Sequence, residues 1–193
     1  MLGLYIGIIL LLNIPYVQHR MSVLVAKELS TVLGSELTVG RINIGLLNRI
    51  IIDDLVLNDQ SGKELLKIGR LSAKFEILPL FSGKISIGNV QLFSFNANLE
   101  RPTPQASTNF QFVLDAFASK DTVKKKSNLD LRINSLLIRR GKVSYDVLSA
   151  ESTPGKFNPQ HIRLSNILAN ISLKALQNDS VNAAIKRMSV EEE

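Results

Sequence analysis

From residue 38 onward apolar and polar residues alternate with a period of two. Ile42, Ile44 and Leu46 alternate with Arg41, Asn43 and Gly45, and Leu71, Ala73, Phe75 and Ile77 alternate with Arg70, Ser72, Lys74 and Glu76. Ile50 and Ile52, then Leu55 and Leu57, straddle Asp53-Asp54, where the alternation slips. A second slip at Gly88-Asn89 separates Ile85 and Ile87 from Val90 and Leu92, followed by Phe95, Ala97 and Leu99. Beyond residue 128 come Leu129, Leu131 and Ile133, then Leu136 and Ile138, then Val143, Tyr145 and Val147, then Ala169, Ile171 and Leu173. Such alternation buries one face and leaves the other wet, whereas parallel sheets covered on both faces read as continuous apolar runs. Slips at Gly, Asn or Asp fit bulges that bend a sheet. The expected fold class is therefore mainly β, a curved antiparallel sheet of eight or more strands.

Two segments repeat instead at three and four. Val17, Met21, Leu24, Val25, Leu29, Val32 and Leu33 form one stripe, with Gln18, Arg20, Lys27, Glu28 and Thr31 opposite, which predicts an amphipathic capping helix over 18–34. Gly34 is its expected stop, because glycine tolerates the left-handed conformation. Phe110, Val113, Leu114 and Phe117 predict a helical insert over 107–119, with Ser107 or Thr108 as N-cap. Ahead of both, Leu2 to Ile14 is apolar apart from Gly3, Gly7 and Asn13, and no basic residue precedes His19 and Arg20. That run predicts an N-terminal membrane helix over 1–17. Thirteen residues rise only about 20 Å, so the span is expected either to begin inside a longer signal anchor or to borrow Pro15 to Val17. The region 35–193 is then the β portion, and it is expected to continue past Arg187–Glu193, which offers no closing element. Ala73, Phe75, Ile77, Leu80 and Ile85 match Ala169, Ile171, Leu173, Leu176 and Val181 at a constant offset, in keeping with a repeating sheet.

Composition narrows the function more by exclusion than by indication. With no cysteine, thiolate nucleophiles, disulfides and zinc–thiolate sites are ruled out. His19 and His161 lack ligand spacing, the second being expected in a loop, and Asp53-Asp54 point to opposite faces of an extended run. No phosphate-cradling, zinc-protease or nucleophile-elbow motif occurs, so neither catalytic residue, cofactor nor metal site is expected and the chain reads as no enzyme. The net charge of +6 suits an anionic surface, but the few aromatics alternate onto the dry face, which argues against nucleic acid as a partner.

The order of elements, with Val32-Leu33-Gly34, then Thr38-Val39-Gly40-Arg41-Ile42-Asn43-Ile44, Ile51-Ile52-Asp53-Asp54-Leu55-Val56-Leu57-Asn58-Asp59, Leu71-Ser72-Ala73-Lys74-Phe75 and Gly83-Lys84-Ile85-Ser86-Ile87, resembles the amino-terminal region of the AsmA-like superfamily. Within it the likeness is to TamB-like translocation and assembly module subunits of the Bacteroidetes type, well over residues 1–115 and loosely thereafter. The resemblance implies a single-pass inner-membrane anchor, a periplasmic half-open β-groove, phospholipid as cargo, and a BamA/TamA-like outer-membrane partner met through regions this chain lacks. The basic start before the anchor, usual in the family, is missing here.

An aliphatic sheet face must close on itself, be covered by helices, or bind something apolar. The expected floor of the groove is Leu71, Phe75, Ile77, Ile85, Ile87, Leu131, Ile133, Ile171 and Leu173. The rival expectations are a chaperone that pairs client β-strands at its edge and a membrane-anchored structural domain with a closed core.

Overall fold

The computed structural model describes residues 2–45, 48–76, 86–117, 134–153, 155–177 and 180–192. Helices α1 (Leu2–Leu12) and α2 (Pro15–Leu33) precede strands β1 (Leu37–Gly45), β2 (Arg49–Asn58), β3 (Glu64–Glu76) and β4 (Ser86–Arg101). Helix α3 (Gln111–Phe117) follows, then β5 (Ser135–Val147), β6 (His161–Gln177) and β7 (Ser180–Glu192). The described strands form one sheet in sequence order, and β1 and β7 are its two edges, so the sheet is not closed.

Two expectations about the sheet are corrected. It is mixed: every neighbouring pair is antiparallel except β4 and β5, which run parallel from Asn89↔Ser135 to Arg101↔Val147. Parallel neighbours need a crossover, and the segment carrying α3 is that connection. Leu136–Ile138 and Val143–Val147, expected as separate strands, are two halves of β5, while the expected strand at Leu129–Ile133 lies outside the described residues. His161, expected in a loop, is the first residue of β6.

The version of the N-terminal membrane helix that borrows Pro15 to Val17 is also corrected. No helix among the described residues is long and apolar enough to cross a membrane. The run cannot lengthen α1 by borrowing Pro15, because proline disfavours helical dihedrals in the residue before it. Ile14 is accordingly extended (φ −66°, ψ 131°), and Pro15 opens a new helix. The 11 residues of α1 rise about 16 Å against a hydrocarbon core of roughly 30 Å. Helix α2 ends as expected at Gly34, left-handed at φ 63°, whose N–H donates to the Ser30 carbonyl.

The face of α2 differs from the expected one. Gln18 and Ser22 are buried, and Leu24 and Val32 are exposed. The helix runs along β1, where the edge strand offers polar backbone. Ser30 Oγ accepts from the Leu37 N–H at 2.9 Å and donates to the Leu37 carbonyl at 3.3 Å. Gln18 Nε2 donates to Asn43 Oδ1 at 2.6 Å, and Asn13 Nδ2 to the Ile44 carbonyl at 2.8 Å. Ser30 satisfies the sheet-edge backbone and Gln18 a β1 side chain, so the stripe that faces the protein is not the most apolar one. Helix α3 starts at Gln111 and not at 107 as expected, since a turn with the Gln111 N–H donating to the Thr108 carbonyl precedes it.

The main core cluster lies at one end of the sheet. Leu33 of α2, Leu37, Leu57 and Leu65 are buried together, and Ala26, Leu29, Leu66, Leu99, Phe110, Phe112, Val113 and Ala116 pack against them. Leu65 and Leu66 both reach this cluster because β3 carries an extra residue there, with Leu57 opposite Leu66 but Asn58 opposite Glu64.

Candidate functional site

Strand register assembles the alternating residues into transverse rows. One row runs Ile42, Ile52, Leu71, Leu92, Ile138, Ala169 and Met188 across all seven strands. Its neighbour runs Ile44, Ile50, Ala73, Val90, Leu136, Ile171 and Ile185. All 14 positions are apolar, which makes this half of the face a continuous aliphatic surface. Toward the core cluster the row Leu37, Leu57, Leu66, Ala97, Val143 and Leu164 lies on the same face.

Between the two halves every strand from β1 to β6 shifts phase. Apolar positions change from 37 and 39 to 42 and 44 in β1, from 50 and 52 to 55 and 57 in β2, and from 66 and 68 to 71 and 73 in β3. At the shift stand Asp54 (φ 55°), Ser94 (φ 52°), Arg140 (φ 53°) and Asn166 (φ 48°), all left-handed. Gly40 and Gly69 stand opposite Asp54 and Ser94, where an added Cβ would meet the facing Cβ at 3.0 and 3.3 Å. The left-handed residues therefore fall in line as a transverse seam, through which strand register is kept from β1 to β5 and shifts between β5 and β6.

Of the expected floor residues, Leu71 and Ile171 stand in adjacent rows of the aliphatic face and are half-buried. Phe75 and Ile87 are register partners across β3 and β4, and Leu173 is paired with Ala183 across β6 and β7. Ile77, Ile85, Leu131 and Ile133 lie outside the described residues. Leu92, Leu136 and Ile138 join the same face without having been placed on the floor. The missing signal was the β4–β5 pairing, which brings those residues between β3 and β6.

Burial falls across the face. Ile42 in β1 is buried, the middle strands are half-buried, and at the β7 edge Ile185 and Met188 are 61% and 56% exposed. The two rows carry no ionisable residue. The charged groups sit on the other face or at the strand ends, as cross-strand pairs. Arg70 Nε donates to Asp53 at 2.6 Å, and that bond and charge raise the guanidinium above its ordinary value. Lys63 meets Glu100 at 3.2 Å. Asp146 receives His161 Nδ1 at 2.8 Å and Arg163 at 2.9 Å.

Asp59 is a different kind of carboxylate, buried in the β2–β3 turn. It accepts from the Ser61 N–H and hydroxyl at 2.8 and 2.6 Å and from the Lys63 N–H at 3.0 Å. Burial alone would push this carboxyl up, but the hydrogen bonds, led by the Ser61 hydroxyl, outweigh it and hold it low. Asn109 of the crossover reaches Asp59 at 3.5 Å and also accepts from the Glu100 N–H, tying the crossover to the turn. The group is a structural clamp. Among the described residues no cluster of three or more His, Cys, Asp or Glu is placed to hold a metal ion. No protein-family model matches the chain, and no curated protein matches it.

Proposed function

We propose that the aliphatic face is a binding surface for lipid acyl chains, in an envelope protein of the AsmA-like, TamB-like type. The observation that carries this reading is the pair of uninterrupted apolar rows that run to an exposed edge strand. A face built only to be a core would lie under covering elements, and α2 flanks β1 while α3 packs at the far end with the leucine cluster. Each methylene taken from water onto such a surface gains about 0.8 kcal/mol. Aliphatic contact is non-directional, so a chain can slide along the rows without meeting a chemical barrier. In this reading the seam lets the face curve into a groove. In this reading the cargo is phospholipid moving between inner and outer membrane, with the N-terminal helices at the inner membrane, the body in the periplasm, and a BamA/TamA-like partner at the outer end.

A second reading has its own support. The backbone of β7 is unpaired on its outer side among the described residues, and such an edge can accept a client strand in outer-membrane protein assembly. Photo-crosslinking in cells separates the readings, with the probe at Leu92 on the aliphatic face and at Gln91 on the opposite one. Phospholipid adducts at Leu92 and none at Gln91 are expected. Polypeptide adducts concentrated along β7 would favour strand pairing. No adduct at either position in folded protein would make the face a closed core and end the lipid reading.

A further inference from the structure

On the face opposite the aliphatic rows, two anomalies coincide. The first is apolar residues where the alternation calls for polar ones. Leu137 pairs with Asn170, which pairs with Arg187, and in the adjacent row Phe93 pairs with Arg139. Leu168, on the same face as Asn170, is 44% exposed. The second anomaly is charge. Elsewhere on this face cations meet carboxylates across strands, as Arg70 meets Asp53 and Arg163 meets Asp146. Arg139, Lys186 and Arg187 are exposed and have no carboxylate partner among the described residues. Arg139 lies instead over the Phe93 ring, 5.8 Å from its centre.

These residues surround one hollow of about 610 Å³ across β5, β6 and β7, lined by Leu137, Arg139, Leu168, Asn170, Lys186 and Arg187, with Ile138 and Ala169 of the aliphatic row also bordering it. The lining contains no acidic residue. Three cations set around an apolar floor match a ligand with an anionic head and an aliphatic body. A bare anion would leave the leucines exposed, and a neutral chain would leave the cations without a counter-charge.

We infer that this hollow is a second binding site, for an anionic amphiphile carrying a phosphate or carboxylate head. It is distinguished from the proposed acyl-chain face by its cations, Arg139, Lys186 and Arg187, which stand off the aliphatic rows, although Ile138 and Ala169 border both. An amphiphile here would hold its head between Arg139 and Arg187 and its first methylenes against Leu137 and Leu168.

The chain contains no tryptophan, so one introduced indole reports on one place. Leu168→Trp places it on the hollow floor, and Leu92→Trp on the aliphatic face. Dodecyl phosphate below its micellar concentration is expected to blue-shift the Leu168→Trp emission saturably. Arg139→Glu with Arg187→Glu is expected to weaken that binding at least tenfold while leaving the circular dichroism unchanged, and Arg187→Gln alone is expected to weaken it less. Dodecyl maltoside, with the same chain and a neutral head, is expected to move the Leu92→Trp emission and not the Leu168→Trp emission. An unmoved Leu168→Trp emission, or equal binding in the double charge reversal, overturns the site. A saturable response to inorganic phosphate alone, undiminished by removal of the chain, reduces it to a free-anion site and overturns the amphiphile. If Leu92→Trp stays silent while Leu168→Trp responds, the acyl-chain face fails and the second site stands.

Discussion

His161 presents both ring nitrogens to acceptors. Nδ1 faces the Asp146 carboxylate at 2.8 Å and Nε2 faces the Ala150 carbonyl at 3.1 Å. Neither acceptor can donate, so both contacts are hydrogen bonds only when the ring is the doubly protonated imidazolium. The bond to Asp146, and then that to Ala150, raise the imidazole above its ordinary value. Burial would push the Asp146 carboxyl up, but the bonds from His161 and then Arg163 hold it below its ordinary value. Glu100, paired with Asp146 on β4, adds a further negative charge on that row. The signs give a window. A raised histidine contributes fully below its unfolded value, about pH 6.5, and loses that contribution as pH rises through the higher folded value. A lowered aspartate contributes above about pH 3.9 and loses its contribution as pH falls through the lower folded value. Thermal midpoints measured by circular dichroism are thus expected to decline from pH 6 to pH 8.5, and the His161→Gln variant to flatten that slope. Parallel profiles would show that the ring is not charged in the fold. A second residue-scale expectation concerns Gly141, where an added Cβ would run into the Phe95 ring. Gly141→Ala is expected to cost about 1–3 kcal/mol in urea unfolding. Adding Phe95→Ala should recover part of that loss, and strictly additive losses would place the strain elsewhere.

The strands and helices were legible in the sequence where a single periodicity governs them, and illegible where two elements share the decision. Helix α2 was found with its Gly34 stop, because apolar spacing and a glycine are local signals. Its orientation was not, since Ser30 is turned inward to the Leu37 backbone and Gln18 to the Asn43 side chain of β1, partners that exist only once the sheet does. Of the slips expected as bulges or tight bends, Gly88-Asn89 stands beside a shift in the β3–β4 register, whereas Asp53-Asp54 keeps its register with β1 and β3 while Asp54 turns left-handed. That the slips in six strands fall in one line could be seen only after pairing, as could the parallel step from β4 to β5. The consequence for β1 can be tested. Ser30 closes both the N–H and the carbonyl of Leu37 with one hydroxyl. Ser30→Ala should therefore cost about 1–2 kcal/mol and accelerate hydrogen exchange at the Leu37 amide selectively. Uniform acceleration along β1 would mean that the edge is guarded by α2 packing instead. At the other end of α2, Gly34→Ala forces a side chain into φ 63° and is expected to cost about 1–2 kcal/mol.

At the scale of the whole molecule, one sheet carries two differently used halves of a single apolar face. The half with Leu37, Leu57 and Leu65 lies under α2 and α3, while beyond the seam the aliphatic rows run out to an exposed β7. The candidate face was legible as alternation, and Leu71 and Ile171 fall where the alternation placed them. Its division was not, because which half is covered depends on where the crossover deposits α3. The division predicts an inverted order of severity. Leu57 is 3% exposed within the cluster, and Leu57→Ala is expected to cost about 2–5 kcal/mol from the cavity left behind. Leu136 lies in the outer aliphatic row, half-buried, and Leu136→Glu can turn its carboxylate to water. Despite the harsher chemical change, Leu136→Glu should leave the thermal midpoint within a few degrees of the parent and abolish acyl-chain capture at Leu92. Leu57→Ala should lower the midpoint markedly and leave capture by the remaining folded molecules intact. If Leu136→Glu unfolds the chain as readily as Leu57→Ala, the two halves are one continuous core, and the aliphatic rows hold the protein together rather than a lipid.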